Sequence, residues 1–110
     1  MKFIVPKQNL LEAINIVQRA VMTKATLPIL EGIYIEADDK VKLVGNCFDL
    51  GIECFVDADI KEKGSVVIEA RMFGEIIRKL PDAPVFIEVL DGYKVRIECL
   101  NSYFEIRGME

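Results

Sequence analysis

The sequence predicts an α+β fold in which one β-α-β-β-β unit is written twice, with two helices packed together on curved antiparallel sheet. Three observations lead there. Only two stretches carry a helical apolar period, and each follows a short apolar strand. Alternating apolar and polar residues fill most of the remainder, the pattern of sheet buried on one face and wet on the other. The two halves also match in register. Leu10, Ile14 and Val17 recur in order and spacing as Phe73, Ile77 and Leu80, and Glu12 recurs at the same offset as Glu75. Lys40-Val41-Lys42-Leu43 returns as Lys94-Val95-Arg96-Ile97. Two matches in the same order point to an internal duplication.

The first unit opens with a strand at residues 2–5, Lys-Phe-Ile-Val. A helix is expected over 7–22, because Leu10, Ile14, Val17 and Val21 fall on one stripe while Gln8, Glu12, Asn15 and Arg19 fall on the opposite one. Residues 22–30, with Pro28, form a connection. Strands are expected near 31–37, 40–46 and 50–58, the first two joined by a tight turn at Asp38-Asp39. Lys63-Gly64 closes a polar link, and the second unit begins with a strand at 65–69. The second helix is expected over 70–80, burying Phe73, Ile76, Ile77 and Leu80 and exposing Arg71, Glu75 and Arg78. Pro81 and Pro84 stop it. Strands near 85–90, 93–99 and 102–108 follow, and Asp91-Gly92 marks a hairpin because both residues tolerate positive φ.

With 110 residues the chain suits one domain and one core. Apolar residues make up 52% and charged residues 29%, the balance of a globular rather than a disordered chain. No apolar run approaches the roughly 20 residues of a membrane span. The start, Met1-Lys2-Phe3-Ile4-Val5-Pro6, lacks the features of a signal peptide, so a cytoplasmic location is expected. Cys47, Cys54 and Cys99 are odd in number and lack Cys-x-x-Cys spacing, which argues against a disulfide framework or a zinc site. Cys54 and Cys99 share strand parity with apolar neighbours and read as small core residues in a reducing compartment.

The net charge is −4, yet it is unevenly spread. The first helical segment carries Lys7, Arg19 and Lys24 against Glu12, and the second carries Arg71, Arg78 and Lys79 against Glu75. The helices are therefore basic, and the sheets and turns carry the acidic excess. Side by side, the helices would offer a modest basic surface that meets phosphates without reading bases. The same charges also suit ordinary solvated helix faces with pairs such as Glu75–Arg78 and Glu75–Lys79.

The sequence lacks enzymatic toolkits. It has no histidine, no Gly-rich phosphate loop and no Gly-x-Ser-x-Gly. Asp38-Asp39 and Asp57 with Asp59 lack the glycine and distal glutamate of a calcium loop and read as turn and strand residues. No catalytic residue, metal site or cofactor is expected. Tyr34, Tyr93 and Tyr103 are scattered, which weighs against single-strand recognition by aromatic stacking.

Several motifs carry a family resemblance over essentially the whole chain. Met1-Lys2-Phe3, Thr26-Leu27-Pro28-Ile29-Leu30, Phe48-Asp49-Leu50-Gly51-Ile52, Ala70-Arg71-x-Phe73 and Ile77-Arg78-Lys79-Leu80-Pro81 resemble the first domain of the bacterial DNA polymerase III β sliding clamp family. The resemblance implies the DNA clamp fold, and residues 1–110 as the first of three domains, the second and third being absent from this sequence. It implies a head-to-tail homodimer ring around duplex DNA, helices inward and sheets outward, that confers processivity on the replicative polymerase. It implies no active site, a clamp loader as partner, no membrane, and a main peptide pocket between the two absent domains. By position, Lys24, Arg71, Arg78 and Lys79 match DNA-facing basic residues. Residues 101–107 match the edge that pairs across the subunit junction, with Asn101, Tyr103, Phe104 and Ile106 as interface residues. Asn101 and Tyr103 stand where basic side chains are often found, a departure that leaves open whether the family's interfacial ion pairs persist. Phe104 and Ile106 read equally as intramolecular core.

Two other functions compete: a stand-alone protein-interaction domain that uses open sheet edges without DNA, and a small-molecule or enzymatic domain. The latter requires a closed polar pocket, with Asp49 or Asp57 as the places to look.

Overall fold

A computed structural model describes residues 1–21, 32–47 and 50–109. Strand β1 (Lys2–Pro6) leads directly into helix α1 (Lys7–Val17), followed by β2 (Gly32–Ala37), β3 (Val41–Cys47), β4 (Leu50–Val56) and β5 (Asp59–Glu62). Then come β6 (Gly64–Glu69), helix α2 (Ala70–Lys79), β7 (Pro84–Leu90), β8 (Lys94–Cys99) and β9 (Ser102–Arg107). The α+β class and the doubled unit expected from the sequence are both present.

The strands form two antiparallel sheets, ordered β5-β1-β7-β8-β9 and β4-β3-β2-β6. The two units exchange their first strands. β1 of the first unit pairs with β7 of the second, and β6 of the second pairs with β2 of the first. The exchange keeps register: Val5 faces Val85 as Ile68 faces Ile33. It extends to the outer side of each exchanged strand, where Ile4 faces Asp59 and Val67 faces Met109. Backbone bonds of 2.9 and 2.7 Å tie Val67 and Met109 in both directions.

Three expectations are corrected. β5 occupies what reads in the sequence as a polar link. Its one apolar residue, Ile60, sets no period, and its pairing with distant Phe3 is a backbone matter. β4 correspondingly ends at Val56 rather than at residue 58. α1 stops as an α-helix at Val17 and tightens into a 3-10 turn over Gln18–Ala20, with Val21 already extended. A Cβ at Gly45 of β3 would overlap the Val17 carbonyl oxygen, so the bare glycine is what lets the helix end lie on the strand.

Each hairpin tip has a local cause. Asp38 donates its N–H to the Lys40 carbonyl at 3.1 Å. Gly92 and Tyr93 take positive φ of 76° and 58° between Leu90 and Lys94. Leu100 takes φ 51° in the turn between Cys99 and Ser102.

One core joins both units. Phe3, Val5, Val85, Ile87, Val95 and Ile97 from one sheet and Ile33, Ile35, Leu43 and Ile68 from the other bury against Leu10, Ile14 and Val17 of α1 and Phe73 and Ile77 of α2. No buried polar side chain interrupts it among the described residues. Cys99 is buried and Cys54 half-buried, both as free thiols.

Candidate nucleic-acid interface

α1 and α2 lie side by side, with Gly74 of α2 at the seam. A Cβ there would come within 3.4 Å of Gln18 Oε1 and 3.6 Å of Ile14 Cγ2 on α1. α2 is capped by Glu69, whose carboxylate accepts the Met72 N–H at 2.6 Å and puts negative charge at the positive end of the helix. Arg78 and Lys79 stand in its last turn, where the dipole favours cations. The apolar stripe faces the core, so Arg71, Glu75, Arg78 and Lys79 are exposed, as are Glu12 and Arg19 beside α1.

Ion pairing separates the two surfaces. Lys2–Glu88, Lys40–Asp57, Lys42–Glu36 and Lys61–Asp59 pair at 3.9, 3.5, 3.5 and 3.0 Å. Lys63–Asp38, Lys94–Glu105 and Arg96–Glu88 pair at 2.9, 3.4 and 3.7 Å. Every one of these pairs has both partners in strands or their connections. Among the described residues no ion pair involves α1 or α2, and Glu75 pairs with neither Arg78 nor Lys79. The cations of the sheets, Arg107 at the end of β9 excepted, are thus paired locally, while Arg19, Arg71, Arg78 and Lys79 stay open to an external anion. Lys24 lies outside the described residues. Lys7, which the sequence tally counts with the helix cations, turns inward: its Nζ donates to the Arg78 and Leu80 carbonyls at 3.2 and 2.7 Å.

Three of the four edge residues lie on β9, an outer strand of the five-stranded sheet. Asn101 is exposed in the turn before it. Phe104 and Ile106 are half-buried and pack on the core. Tyr103 lies on the opposite, solvent face. Its hydroxyl accepts from Arg96 Nε at 3.2 Å and donates to Glu105 Oε2 at 2.8 Å, and the Arg96 guanidinium sits 5.7 Å from its ring centre. The hydrogen bond from Tyr103, with Lys94 adding its own, holds the Glu105 carboxyl below the usual carboxylate range. The same hydroxyl raises Arg96. Tyr103 therefore takes part in a ladder of charges within the sheet. The far side of β9 has no strand partner among the described residues.

Pocket chemistry is sparse. A concavity of about 470 Å³ opens on the outer face of the five-stranded sheet, over Ile4 and Phe86. Asp57 is exposed, pairs with Lys40, and lines only a shallow groove beside Glu12 and Cys54. Asp49 lies outside the described residues. Among the described residues no three His, Cys, Asp or Glu side chains converge as metal ligands, and no helix is long and apolar enough to cross a membrane. Sequence reasoning misses the Glu69 cap, because glutamate is not a favoured capping residue, and the inward turn of Lys7, because its acceptors lie over 70 residues away.

Comparison with known proteins covers the full chain. The family described as DNA polymerase III beta subunit, N-terminal domain, matches residues 1–110. The Beta sliding clamp of Bacillus subtilis is 39% identical over 119 residues, covering 100% of this chain and 32% of the relative. The solved structure of a putative DNA polymerase III beta subunit from Eubacterium rectale has a TM-score of 0.98 at 44% identity, covering 100% of this chain and 30% of that one. The sliding clamp structure from Bacillus subtilis has a TM-score of 0.95 at 38% identity, over 100% and 31% of the two chains. The chain spans about a third of the length of the curated relatives it matches.

Proposed function

The chain belongs to the DNA polymerase III beta subunit, N-terminal domain, family, and from that premise we propose that it is the first of three domains of a non-enzymatic sliding clamp. Two such subunits close head to tail around duplex DNA and tether the replicative polymerase, and a clamp loader opens and closes the ring. α1 and α2 line the channel and the two sheets form the outer wall. Arg71, Arg78 and Lys79 of α2, with Lys24 in the connection that follows the first helix, meet phosphates. β9 pairs across the subunit junction, with Asn101 at its approach, Tyr103 on its outer face, and Phe104 and Ile106 as half-buried anchors.

One observation carries this reading: the segregation of ion pairs. Cations already matched to neighbouring carboxylates gain little from a phosphate, whereas unmatched exposed ones can replace the counterions of DNA. The helix face holds Arg19, Arg71, Arg78 and Lys79 unmatched, whereas seven of the eight cations on the sheets and their connections are matched, Arg107 at the end of β9 being the exception. Net charge of −4 then suits a device that holds DNA by topology and slides on weak contacts.

The test is retention. Full-length protein loaded on a nicked circular duplex should stay bound through gel filtration and be lost once the circle is cut. Equal loss from circular and linear DNA would refute encirclement and favour a protein-interaction domain with no DNA role.

A further inference from the structure

Lys7 is the first residue of α1, yet its side chain serves α2. Its ammonium donates to the Arg78 carbonyl at 3.2 Å and the Leu80 carbonyl at 2.7 Å. These carbonyls lie at the C-terminal end of α2, where backbone acceptors lose their helical partners and the dipole is negative. Pro81 follows and has no N–H to offer. The backbone N–H of Lys7 adds a bond to the Ala83 carbonyl at 3.3 Å, so the first residue of α1 holds both the end of α2 and the chain leaving it. The grip is not reciprocal: the corresponding first residue of α2 is Ala70, which has no donor side chain.

We propose that Lys7 is a positioning residue for the phosphate-facing cations Arg78 and Lys79, fixing the turn that carries them, and that it makes no DNA contact of its own. This rests on the channel face proposed above. Arg78 lies along this seam: a Cβ on Gly74 would be in ordinary van der Waals contact with an Arg78 guanidinium nitrogen at 3.6 Å and with Gln18 Oε1 at 3.4 Å.

The experiment uses full-length protein and a fluorescein-labelled duplex, with anisotropy read across a salt series and thermal melting read in parallel. Lys7→Met keeps the stem and removes the donors. It should weaken binding by about three- to tenfold, the lower part of the range for residues sharing one hydrogen-bond network. Lys7→Arg, which can still donate to both carbonyls, should restore it. In an Arg78→Ala/Lys79→Ala background, Lys7→Met should cause no further loss. A full additional loss in that background would overturn the proposal, since Lys7 would then act as its own contact or through stability alone. So would unchanged binding by Lys7→Met while Arg78→Ala/Lys79→Ala binds weakly. If Arg78→Ala/Lys79→Ala itself binds like the parent, the channel face is wrong and the role of Lys7 falls with it.

Discussion

Replacing Arg71 and Arg78 by alanine should flatten the salt dependence of duplex binding without unfolding the protein. Both side chains are exposed on α2, and neither enters an ion pair among the described residues. Removing them should therefore move stability by no more than about 0.5 kcal/mol, and alanine is itself a good helix former. Each phosphate neutralised contributes roughly 0.9 to the slope of log affinity against log salt. Two lost contacts lower that slope by about 1.8 for each subunit touching the duplex, a change of about 60-fold over a tenfold range of salt. The assay is anisotropy of a labelled duplex with full-length protein. The control is Lys61→Ala/Lys94→Ala, an equal change in charge, but on sheet cations already paired with Asp59 and Glu105 at 3.0 and 3.4 Å. That variant should keep the parental slope. An equal flattening by both double variants would show that only net charge matters. No flattening by the helix variant would refute the assignment of α2 to the channel.

Other perturbations test how the site is held. Gly45→Ala puts a Cβ against the Val17 carbonyl and should lower the urea midpoint by an amount equivalent to about 1–3 kcal/mol, since neither backbone can yield freely. Glu69→Ala removes the acceptor of the Met72 N–H and should cost about 1 kcal/mol in the same measurement, with Glu69→Gln recovering part of it. Glu105 titrates below the ordinary carboxylate range when folded, first because Tyr103 donates to it and then because Lys94 is near. Its contribution to stability is thus present above the ordinary carboxylate pKa and is lost as pH falls through the lowered folded value. Tyr103→Phe should move the Glu105 titration upward in a carboxyl-detected NMR series, and an unmoved curve would show that the hydroxyl is not the cause.

What could be foreseen from the sequence follows from how far each signal reaches along the chain. The helix faces are local matters. Phe73, Ile76, Ile77 and Leu80 are buried and Arg71, Glu75 and Arg78 exposed, as the period of α2 requires. Strand parity likewise puts Val95, Ile97 and Cys99 inward. Parity says which face a residue takes and nothing about which strand lies beside it, so the exchange of β1 and β6 between units stays hidden. β5 stays hidden for the same reason, because Asp59-Ile60-Lys61-Glu62 pairs with β1 through its backbone and its one apolar residue, Ile60, which packs on the core, sets no period. The charge tally counts both helical segments as basic, but it cannot tell a cation spent on a carbonyl, such as Lys7, from one left open, such as Arg78.

The strand exchange bears on assembly as well as on folding. Because each sheet takes its first strand from the other unit, neither half can complete a sheet alone, and the two helices are fixed together by the same crossing. The duplication then makes the outer strands β4 and β9 equivalent, one on each sheet. Neither has a strand beyond it among the described residues, whereas the outer sides of β1 and β6 are taken by β5 and Met109. Equivalent edges on two sheets of one domain suit heterologous pairing, edge of one kind to edge of the other, which closes into a ring when the rotation per step divides a full turn. On the clamp reading, an internal duplication thus yields a channel-facing helix pair together with two edges through which a domain can join its neighbours. Leu50 and Phe55 on β4 and Tyr103 on β9 are all more than half exposed, at 51%, 58% and 51%, which leaves apolar area at both edges for such neighbours to cover.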